Sequence, residues 1–258
     1  MISGDPKRER IPRKPALTDM NPTPPTSIRH MLPSAILSAD DDLGQPTRSM
    51  IELALRVVHA ALDIDLSDLS RRLSGPPFWP DLWPGEHYRL LAGFVRVLQP
   101  RNVVEIGTAT GMSALALKKF LPACARVTTF DIIPWREYPG QVLSHADFAD
   151  GQLEQVVADL TKPEIARSHA KLLSEADLLF VDAAKDGQME AILLDNLSAI
   201  GLREGALLLF DDTRMQDMIA IWRAISKPKL DLTSFGHWSG TGLVQWSRAG
   251  AWCAWRTT

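Results

Sequence analysis

The sequence predicts an α/β fold, in which a doubly wound, mostly parallel sheet of seven strands has an antiparallel last strand and follows a group of N-terminal helices. After Pro100, short and continuous apolar segments alternate with helical segments. Continuous apolar runs are typical of strands that are buried on both faces, and the alternation is typical of a parallel sheet. The last two apolar segments are joined only by GHWSGTG, which is too short for a crossover, so they should pair antiparallel.

Seven strands and four intervening helices are expected in this region. The strand candidates are 103–107, 126–132, 153–159, 177–183, 206–212, 229–235 and the segment GLVQWS. The helical segments are GMSALALKKFL, PEIARSHAKLLSEA, MEAILLDNLSAI and MQDMIAIWRAI. Short connections and right-handed crossovers then place helices on both faces of the sheet.

The composition is that of an ordinary globular chain. Of 258 residues, 45% are hydrophobic and 23% are charged, and the formal net charge is −3. This balance gives no basic surface for nucleic acid or an anionic membrane. Two cysteines without a C-x-x-C motif argue against a disulfide scaffold and a thiolate zinc site. The sequence has no membrane-spanning run and no signal-like N-terminal segment, so we expect a cytoplasmic location.

The chain divides into three expected segments. Residues 1–46 are rich in Pro, Thr, Ser, Arg and Lys, which predicts a disordered tail because such a segment buries too little apolar surface to order itself. Residues 47–99 predict a helical cap or lid, and residues 100–258 predict the sheet domain. The first cap helix should bury an apolar stripe at helical spacing, formed by Ile51, Leu55, Val58 and Leu62. An aromatic, Pro-rich link follows, PPFWPDLWPGEHY, and its side chains either cover a site or anchor the helices, namely Trp79, Trp83 and Tyr88.

A glycine loop follows the first strand of the sheet domain, in VVEIGTATGMSALAL. Gly107 and Gly111 allow close approach of backbone to a ligand, and the helix N-terminus offers free N–H groups. Glu105 would repel a pyrophosphate but can bind an ammonium group, so the loop suits a ligand with an amino-acid end better than a dinucleotide. The spacing is not G-x-G-x-x-G, which also argues against a nucleotide-dependent oxidoreductase. A plain strand-to-helix turn is the alternative.

Acidic residues also end the second and third strands. Asp131 stands about twenty residues beyond the helix start, where such folds place an acid on ribose hydroxyls. Asp159 ends the third strand and could approach an adenine edge. Each of them could instead be a helix cap.

With these motifs, the stretch from about Pro84 to the C-terminus resembles the class I S-adenosylmethionine-dependent methyltransferases. It is most similar to the cation-dependent small-molecule O-methyltransferases of the catechol and caffeoyl-CoA group. The resemblance implies a Rossmann-like fold and S-adenosylmethionine as the methyl donor. It further implies that Asp131 holds the ribose, and that Asp159 and Asp182 border the donor. The methionine end would contact Glu105, Gly107, Thr108, Gly111 and Ser113.

Three further acids end the fourth and fifth strands, Asp182, Asp211 and Asp212. Clustered carboxylates with no nearby His or Cys suit Mg²⁺, Ca²⁺ or Mn²⁺, although helix caps are an alternative. The resemblance favours the metal, because its members carry an Asp at the fourth strand, an Asp-Asn pair at the fifth and a Lys three residues after the first Asp. Lys185 keeps that spacing. Asp212 departs from it, since Asn is usual there, and Ala184 stands where plant-type members have a second Asp.

This arrangement suggests a catalytic role for Lys185 and for His237. Lys185, partly desolvated beside a cation, would have a depressed pKa and accept the proton of the acceptor hydroxyl, with Asp182 beside it. His237, in the connector GHWSGTG, is either a second base or an exposed loop residue, and Trp238 could stack on an aromatic substrate.

The expected function is methyl transfer to a small hydroxylated molecule, without nucleic-acid or membrane partners. Members of the group are often homodimers, so a homodimer is also expected. A metal-independent O- or N-methyltransferase and a catalytically silent donor-binding protein remain as alternatives.

Overall fold

The computed structural model describes residues 44–248, and its centre is a seven-stranded sheet. The strand order is β3-β2-β1-β4-β5-β7-β6. The strands are β1 (Asn102–Ile106), β2 (Arg126–Asp131), β3 (Leu153–Val157), β4 (Leu178–Val181), β5 (Leu207–Asp211), β6 (Lys229–Asp231) and β7 (Thr241–Gln245). Almost all of the predicted tail, residues 1–46, lies outside the described residues.

The pairing of the strands confirms the predicted fold class. The first five strands are parallel, and β7 pairs antiparallel with both β5 and β6. The order reverses between β1 and β4, and in open α/β sheets ligands bind outside the carboxyl ends of the strands at such a reversal. The strand expected over 229–235 ends at Asp231, because the Asp231 carboxylate accepts a hydrogen bond of 2.8 Å from Thr233 N and the chain turns there.

Eight α-helices lie in the described part of the chain. Their bounds are α1 (Arg48–Leu62), α2 (Ser67–Ser70), α3 (Tyr88–Leu98), α4 (Met112–Lys118), α5 (Pro163–Ser168), α6 (Ala170–Ser174), α7 (Gln188–Ile200) and α8 (Gln216–Ala224). Thr47 caps α1, since its hydroxyl oxygen accepts a hydrogen bond from Met50 N. Within residues 44–248, none of the helices has both the length and the hydropathy that a membrane span requires.

The first helix forms where it was predicted, but the predicted buried face is wrong. Three of the four residues of the predicted stripe are exposed, Ile51, Leu55 and Leu62. The buried side consists of Met50, Ala54, Val57 and Ala61. Small residues on this side allow α1 and α3 to pack closely. The approach is so close that a Cβ on Gly93 of α3 would lie only 3.0 Å from the Val57 carbonyl oxygen.

The hydrophobic core has two parts, one on each face of the sheet. Residues of α1, α3 and α4 pack with one set of alternate strand residues, which includes Val103, Phe180 and Leu209. Residues of α6, α7 and α8 pack with the other set, which includes Val104 and Phe210. The expected cap and the sheet therefore bury side chains in one shared core, while the division into a cap at 47–99 and a sheet domain from 100 stays a prediction.

Candidate active site

The glycine loop leads from β1 into α4 and packs against the end of β4. Gly107 has φ 104° and Gly111 has φ 85°, so both lie in the region that favours glycine. A Cβ on Gly107 would lie 1.9 Å from the Asp182 carbonyl oxygen, and one on Gly111 would lie 2.3 Å from the Leu143 side chain. Protein packing therefore requires both glycines, and the loop is held directly beside Asp182.

Glu105 is fully buried beneath this loop. Neither of its carboxyl oxygens has a hydrogen-bond partner among the described residues. Burial raises the pKa of Glu105 to about 8, although the nearby hydroxyls of Ser113 and Thr129 lower it in part without meeting hydrogen-bond geometry. A buried carboxyl group without a partner is costly, and a cationic ligand group is one means of satisfying it.

Two of the residues predicted to contact the methyl donor form hydrogen bonds within the protein. Thr108 is buried, and its hydroxyl group lies 2.7 Å from that of Thr129 and accepts a hydrogen bond from Gln155. Asp131 holds the glycine loop to the end of β2, because its Oδ2 accepts from Ala109 N at 2.9 Å and its Oδ1 accepts from Ile133 N at 3.0 Å. The structure thus places Asp131 directly at the loop.

Asp159 forms a local turn after β3. Its Oδ1 accepts hydrogen bonds from Thr161 N at 3.0 Å and from Thr161 Oγ1 at 2.5 Å. No described contact joins Asp159 to the glycine loop. Its contacts form a local turn, and it does not cap the following helix, which was the alternative to an adenine contact.

Three carboxylates meet at the ends of β4 and β5, as the sequence predicts. One oxygen atom of each lies within 4.8 Å of the others, in Asp182, Asp211 and Asp212. The two strands are parallel neighbours, so their carboxyl ends share one edge of the sheet. Lys185 Nζ lies 2.8 Å from Asp182 Oδ1 and 3.7 Å from Asp211 Oδ2, and it also pairs with Asp212.

The depressed pKa of Lys185 was expected beside a bound cation and stays a prediction. Without a cation, burial alone would lower the pKa of the ammonium group, but the surrounding carboxylates, first Asp182 and then Asp212 and Asp211, outweigh burial and raise it. In that state the ammonium group is a hydrogen-bond donor and a positive charge.

His237 also reaches this cluster from the connector, defined here as residues 236–242. Its Nδ1 lies 3.2 Å from Asp211 Oδ2, 3.2 Å from Asp212 Oδ1 and 2.7 Å from Ser239 Oγ. Burial alone would lower the pKa of His237, but Asp211 and Asp212 outweigh it and raise the pKa to about 10. The structure therefore joins His237 directly to Asp211 and Asp212, which in turn pair with Lys185.

His87 is a site residue that the sequence analysis missed. It lies immediately before α3, and only 3% of it is exposed. Its Nδ1 is 3.3 Å from Asp211 Oδ1, whereas His237 lies nearest to the other oxygen of that carboxylate. Burial alone would raise the pKa of Asp211, but the two imidazoles hold it below its usual range. The sequence feature that could have identified His87 is its position at the end of the aromatic link, directly before α3.

The aromatic link reaches the site because it is bonded to the connector. Gly85 N donates to Gly236 O at 3.0 Å, and Trp238 N donates to Gly85 O at 3.1 Å. The indole of Trp83 donates to Phe235 O at 2.8 Å, which is an anchoring contact. The rings of Trp79 and Trp238 meet edge to face, and both are exposed. Aromatic surface thus borders the cluster on the side of the link.

Residues 104–213 match the family model described as a methyltransferase domain. The match contains the end of β1, the glycine loop, Asp131 and all three clustered acids. The chain therefore contains a methyltransferase domain. No curated protein gives a significant match to the sequence.

Two solved structures resemble this chain. One is a methyltransferase from Geobacter sulfurreducens, with 20% identity and a TM-score of 0.47, covering 73% of this chain and 88% of that chain. The other is described as a caffeoyl-CoA O-methyltransferase from Staphylococcus aureus, with 16% identity and a TM-score of 0.46, covering 61% of this chain and 81% of that chain.

Proposed function

We propose that this methyltransferase transfers a methyl group to a hydroxyl group of a small molecule, with the assistance of a divalent cation. The observation that supports this most is the meeting of three carboxylates, an ammonium group and an imidazole beside the glycine loop. Such a cluster offers both hard oxygen ligands and hydrogen-bond donors at one edge of the sheet.

For the donor, we propose the residues that the resemblance implies. S-adenosylmethionine supplies the methyl group when it is bound. The unpartnered carboxyl group of Glu105 suits an ammonium group, and Asp131 retains free lone pairs for ribose hydroxyls besides its two bonds to backbone N–H groups. Asp159 remains the proposed neighbour of the adenine. The proposed methionine subsite further includes Gly107, Thr108, Gly111 and Ser113.

For the cation, we propose Asp182, Asp211 and Asp212 as ligands and Mg²⁺ as the first candidate. Their oxygen atoms are close enough to share one ion, and carboxylate oxygens suit Mg²⁺. A cation bound there would lower the pKa of an acceptor hydroxyl. The proposal needs no other change in the fold, because the carboxylates already meet.

Lys185 and His237 act in this proposal on the acceptor oxygen. In the described geometry the surrounding carboxylates raise the pKa of each group, and a cation bound to those carboxylates would offset that effect and lower the pKa of Lys185. Lys185 would then accept the proton of the acceptor hydroxyl group, while His237 donates a hydrogen bond to the oxygen. The exposed rings of Trp79 and Trp238 support a small, planar acceptor rather than nucleic acid or a membrane component.

Metal-independent transfer is the second candidate, and one observation favours it. The ammonium group of Lys185 already pairs with all three carboxylates. A tethered cation of this kind could neutralise the cluster and hold the acceptor oxygen without an added ion.

The test is transfer of a labelled methyl group from S-adenosylmethionine to a panel of catechols and other small phenols and alcohols. It compares MgCl₂ with EDTA, and compares Asp182→Ala and Lys185→Ala with the matched control Lys119→Ala, whose ammonium group pairs with Asp68 elsewhere on the surface. We expect EDTA to abolish transfer, Mg²⁺ to restore it, and only the two site variants to lose at least about a hundredfold in rate. Full activity in EDTA would favour the metal-independent candidate. An absence of donor binding in calorimetry would contradict the proposed function.

A further inference from the structure

Histidine is not expected in a site built for Mg²⁺, yet this site has a deeply buried one. Neither ring nitrogen of His87 has a hydrogen-bond partner among the described residues. The same holds for Asp211 Oδ1, which lies 3.3 Å from His87 Nδ1. Buried polar atoms are almost always satisfied, and the 3.3 Å ion pair between these two atoms does not meet hydrogen-bond geometry, so we expect a third group to bind beside them.

A second imidazole completes the arrangement. His237 Nδ1 lies 3.2 Å from the other oxygen of Asp211, and the two histidine rings have centroids 5.5 Å apart. One atom each of His87, Asp211 and His237 lies within 4.8 Å of the others. Two imidazole nitrogens and a carboxylate oxygen thus converge on one point, and they come from the link before α3, from β5 and from the connector.

The surroundings of His237 also resemble those of a metal ligand. Its Nε2 lies 3.7 Å from the buried carboxylate of Glu86, while its Nδ1 faces Asp211. Histidine ligands typically direct their second ring nitrogen to a carboxylate, which fixes the ring and raises its basicity. The hydrogen bonds between Gly85, Gly236 and Trp238 hold the link and the connector together, so both imidazoles are presented by joined backbone segments.

We infer that this site binds a divalent transition metal of the Fe, Co, Ni or Zn class through His87, Asp211 and His237, rather than Mg²⁺ through carboxylates alone. Imidazole nitrogen is a preferred ligand for these metals, whereas Mg²⁺ prefers oxygen. Asp182 and Asp212 border the same point and add negative charge that offsets the cation. The inference rests on the proposed function and deepens it, since it names the class of cation at the same site; it replaces Mg²⁺ as the first candidate and makes His237 a ligand in place of a hydrogen-bond donor.

The test measures binding without turnover. The full-length chain is titrated with CoCl₂ and, separately, with MgCl₂ by calorimetry, and the cobalt-loaded protein is examined by X-ray absorption for imidazole scattering. The variants are His87→Gln and His237→Gln, and the matched control is His59→Gln, an exposed histidine on α1. We expect His87→Gln and His237→Gln each to weaken Co²⁺ binding by at least about tenfold and to reduce imidazole scattering, with Mg²⁺ affinity changed by less than about twofold. His59→Gln should change neither.

Unchanged Co²⁺ affinity in both variants, or cobalt without imidazole ligands, would overturn the inference. If Mg²⁺ still bound in that case, metal-assisted methyl transfer would survive and only the choice of ligands would be wrong. Conversely, imidazole-bound cobalt in a protein that transfers no methyl group would overturn the proposed function alone. If His87→Gln fails to fold by circular dichroism, His237→Gln decides, because His237 lies in the partly exposed connector.

Discussion

The guanidinium group of Arg72 binds the carboxylate of Asp147 through two hydrogen bonds of 2.7 Å each. Arg72 also donates to Val142 O, and Val142 N donates to Thr110 O within the glycine loop. Leu143, beside Val142, is the residue that packs against Gly111. A single arginine that follows α2 therefore supports the segment on which the glycine loop rests.

We expect Arg72→Met to lower the free energy of unfolding by about 1–3 kcal/mol at pH 7, because Asp147 is largely buried and would lose its partner. Burial alone would raise the pKa of Asp147, but Arg72 and Ser144 outweigh it and lower the pKa to about 2. The contribution of the pair is therefore complete above about pH 4 and is lost as the pH falls toward 2. Urea unfolding at pH 7 and pH 3 measures both effects.

The matched control for Arg72 is Arg126→Met, which removes an exposed pair with Glu154 and should cost less than about 0.5 kcal/mol. Equal losses in the two variants would contradict the supporting role of Arg72. A loss in Arg72→Met that stayed the same at pH 3 would contradict the role of Asp147.

Gly107→Ala should destabilise the protein by more than about 3 kcal/mol or prevent its folding, since the new Cβ would meet the Asp182 carbonyl oxygen. Gly140→Ala is the control, because Gly140 has φ 71° but open space around it. Gly140→Ala should lower the free energy of unfolding only by the cost of a positive φ at alanine, about 1–2 kcal/mol. Thermal unfolding of both variants separates the clash from the backbone strain, and equal melting temperatures would show that the loop is not held against β4.

Glu105→Gln should change how stability depends on pH. The pKa of Glu105 is raised to about 8 in the folded state, from about 4.5. The folded protein then binds the proton more tightly, so this group's contribution is greatest below pH 4.5 and decreases until pH 8, by up to about 1.4 kcal/mol per pH unit. Glutamine keeps the shape and removes the proton, so Glu105→Gln should gain stability relative to the natural protein as the pH rises.

Urea unfolding at pH 5.5, 7 and 8.5 tests this expectation for Glu105. Glu164→Gln changes an exposed glutamate in α5 and should leave the pH profile as it was. A constant difference between Glu105→Gln and the natural protein across these three pH values would mean that Glu105 is ionised in the fold.

Lys185→Met should lower the stability of the metal-free protein by about 1–3 kcal/mol, because three carboxylates lose their shared positive neighbour. Divalent cations should then raise the melting temperature of Lys185→Met more than that of the natural protein, since the ammonium group no longer competes for the carboxylates. Lys119→Met removes a surface pair and should show no such gain. A gain no larger than that of the natural protein would indicate that Lys185 and a cation occupy separate positions.

The sequence predicts the positions of residues at the ends of strands, but it does not predict features that depend on how side chains pack. Apolar runs and short connections specify a parallel sheet, and parallel neighbours must bring Asp182 and Asp211 to one edge. The orientation of α1 was wrong because hydrophobicity favours Ile and Leu, whereas close contact with Gly93 selects the smaller Ala61 and Ala54 face. The raised pKa of Lys185 in the absence of a cation was not predicted, because it depends on distances to three carboxylates that sequence spacing does not reveal.

His87 shows the same limit more sharply. The local sequence does not show whether a histidine before a helix belongs to a site. His87 reaches the cluster only because the link is hydrogen-bonded to the connector, about 150 residues later in the chain. His237 was predictable, since a connector before an antiparallel strand returns to the edge where the acids lie. The difference is that topology alone places His237, while long-range backbone pairing places His87.

The aromatic link and the connector are bonded to each other but lie on either side of the matched region in the sequence. The proposed contacts to the methyl donor and the residues that border the cluster therefore come from different segments of the chain. Donor contacts are proposed within the matched region, 104–213, whereas the imidazoles and the exposed tryptophans come from before and after it. If the proposed function holds, substitutions in either flank would alter which molecule is accepted, or which ion is preferred, while the proposed donor contacts stay unchanged.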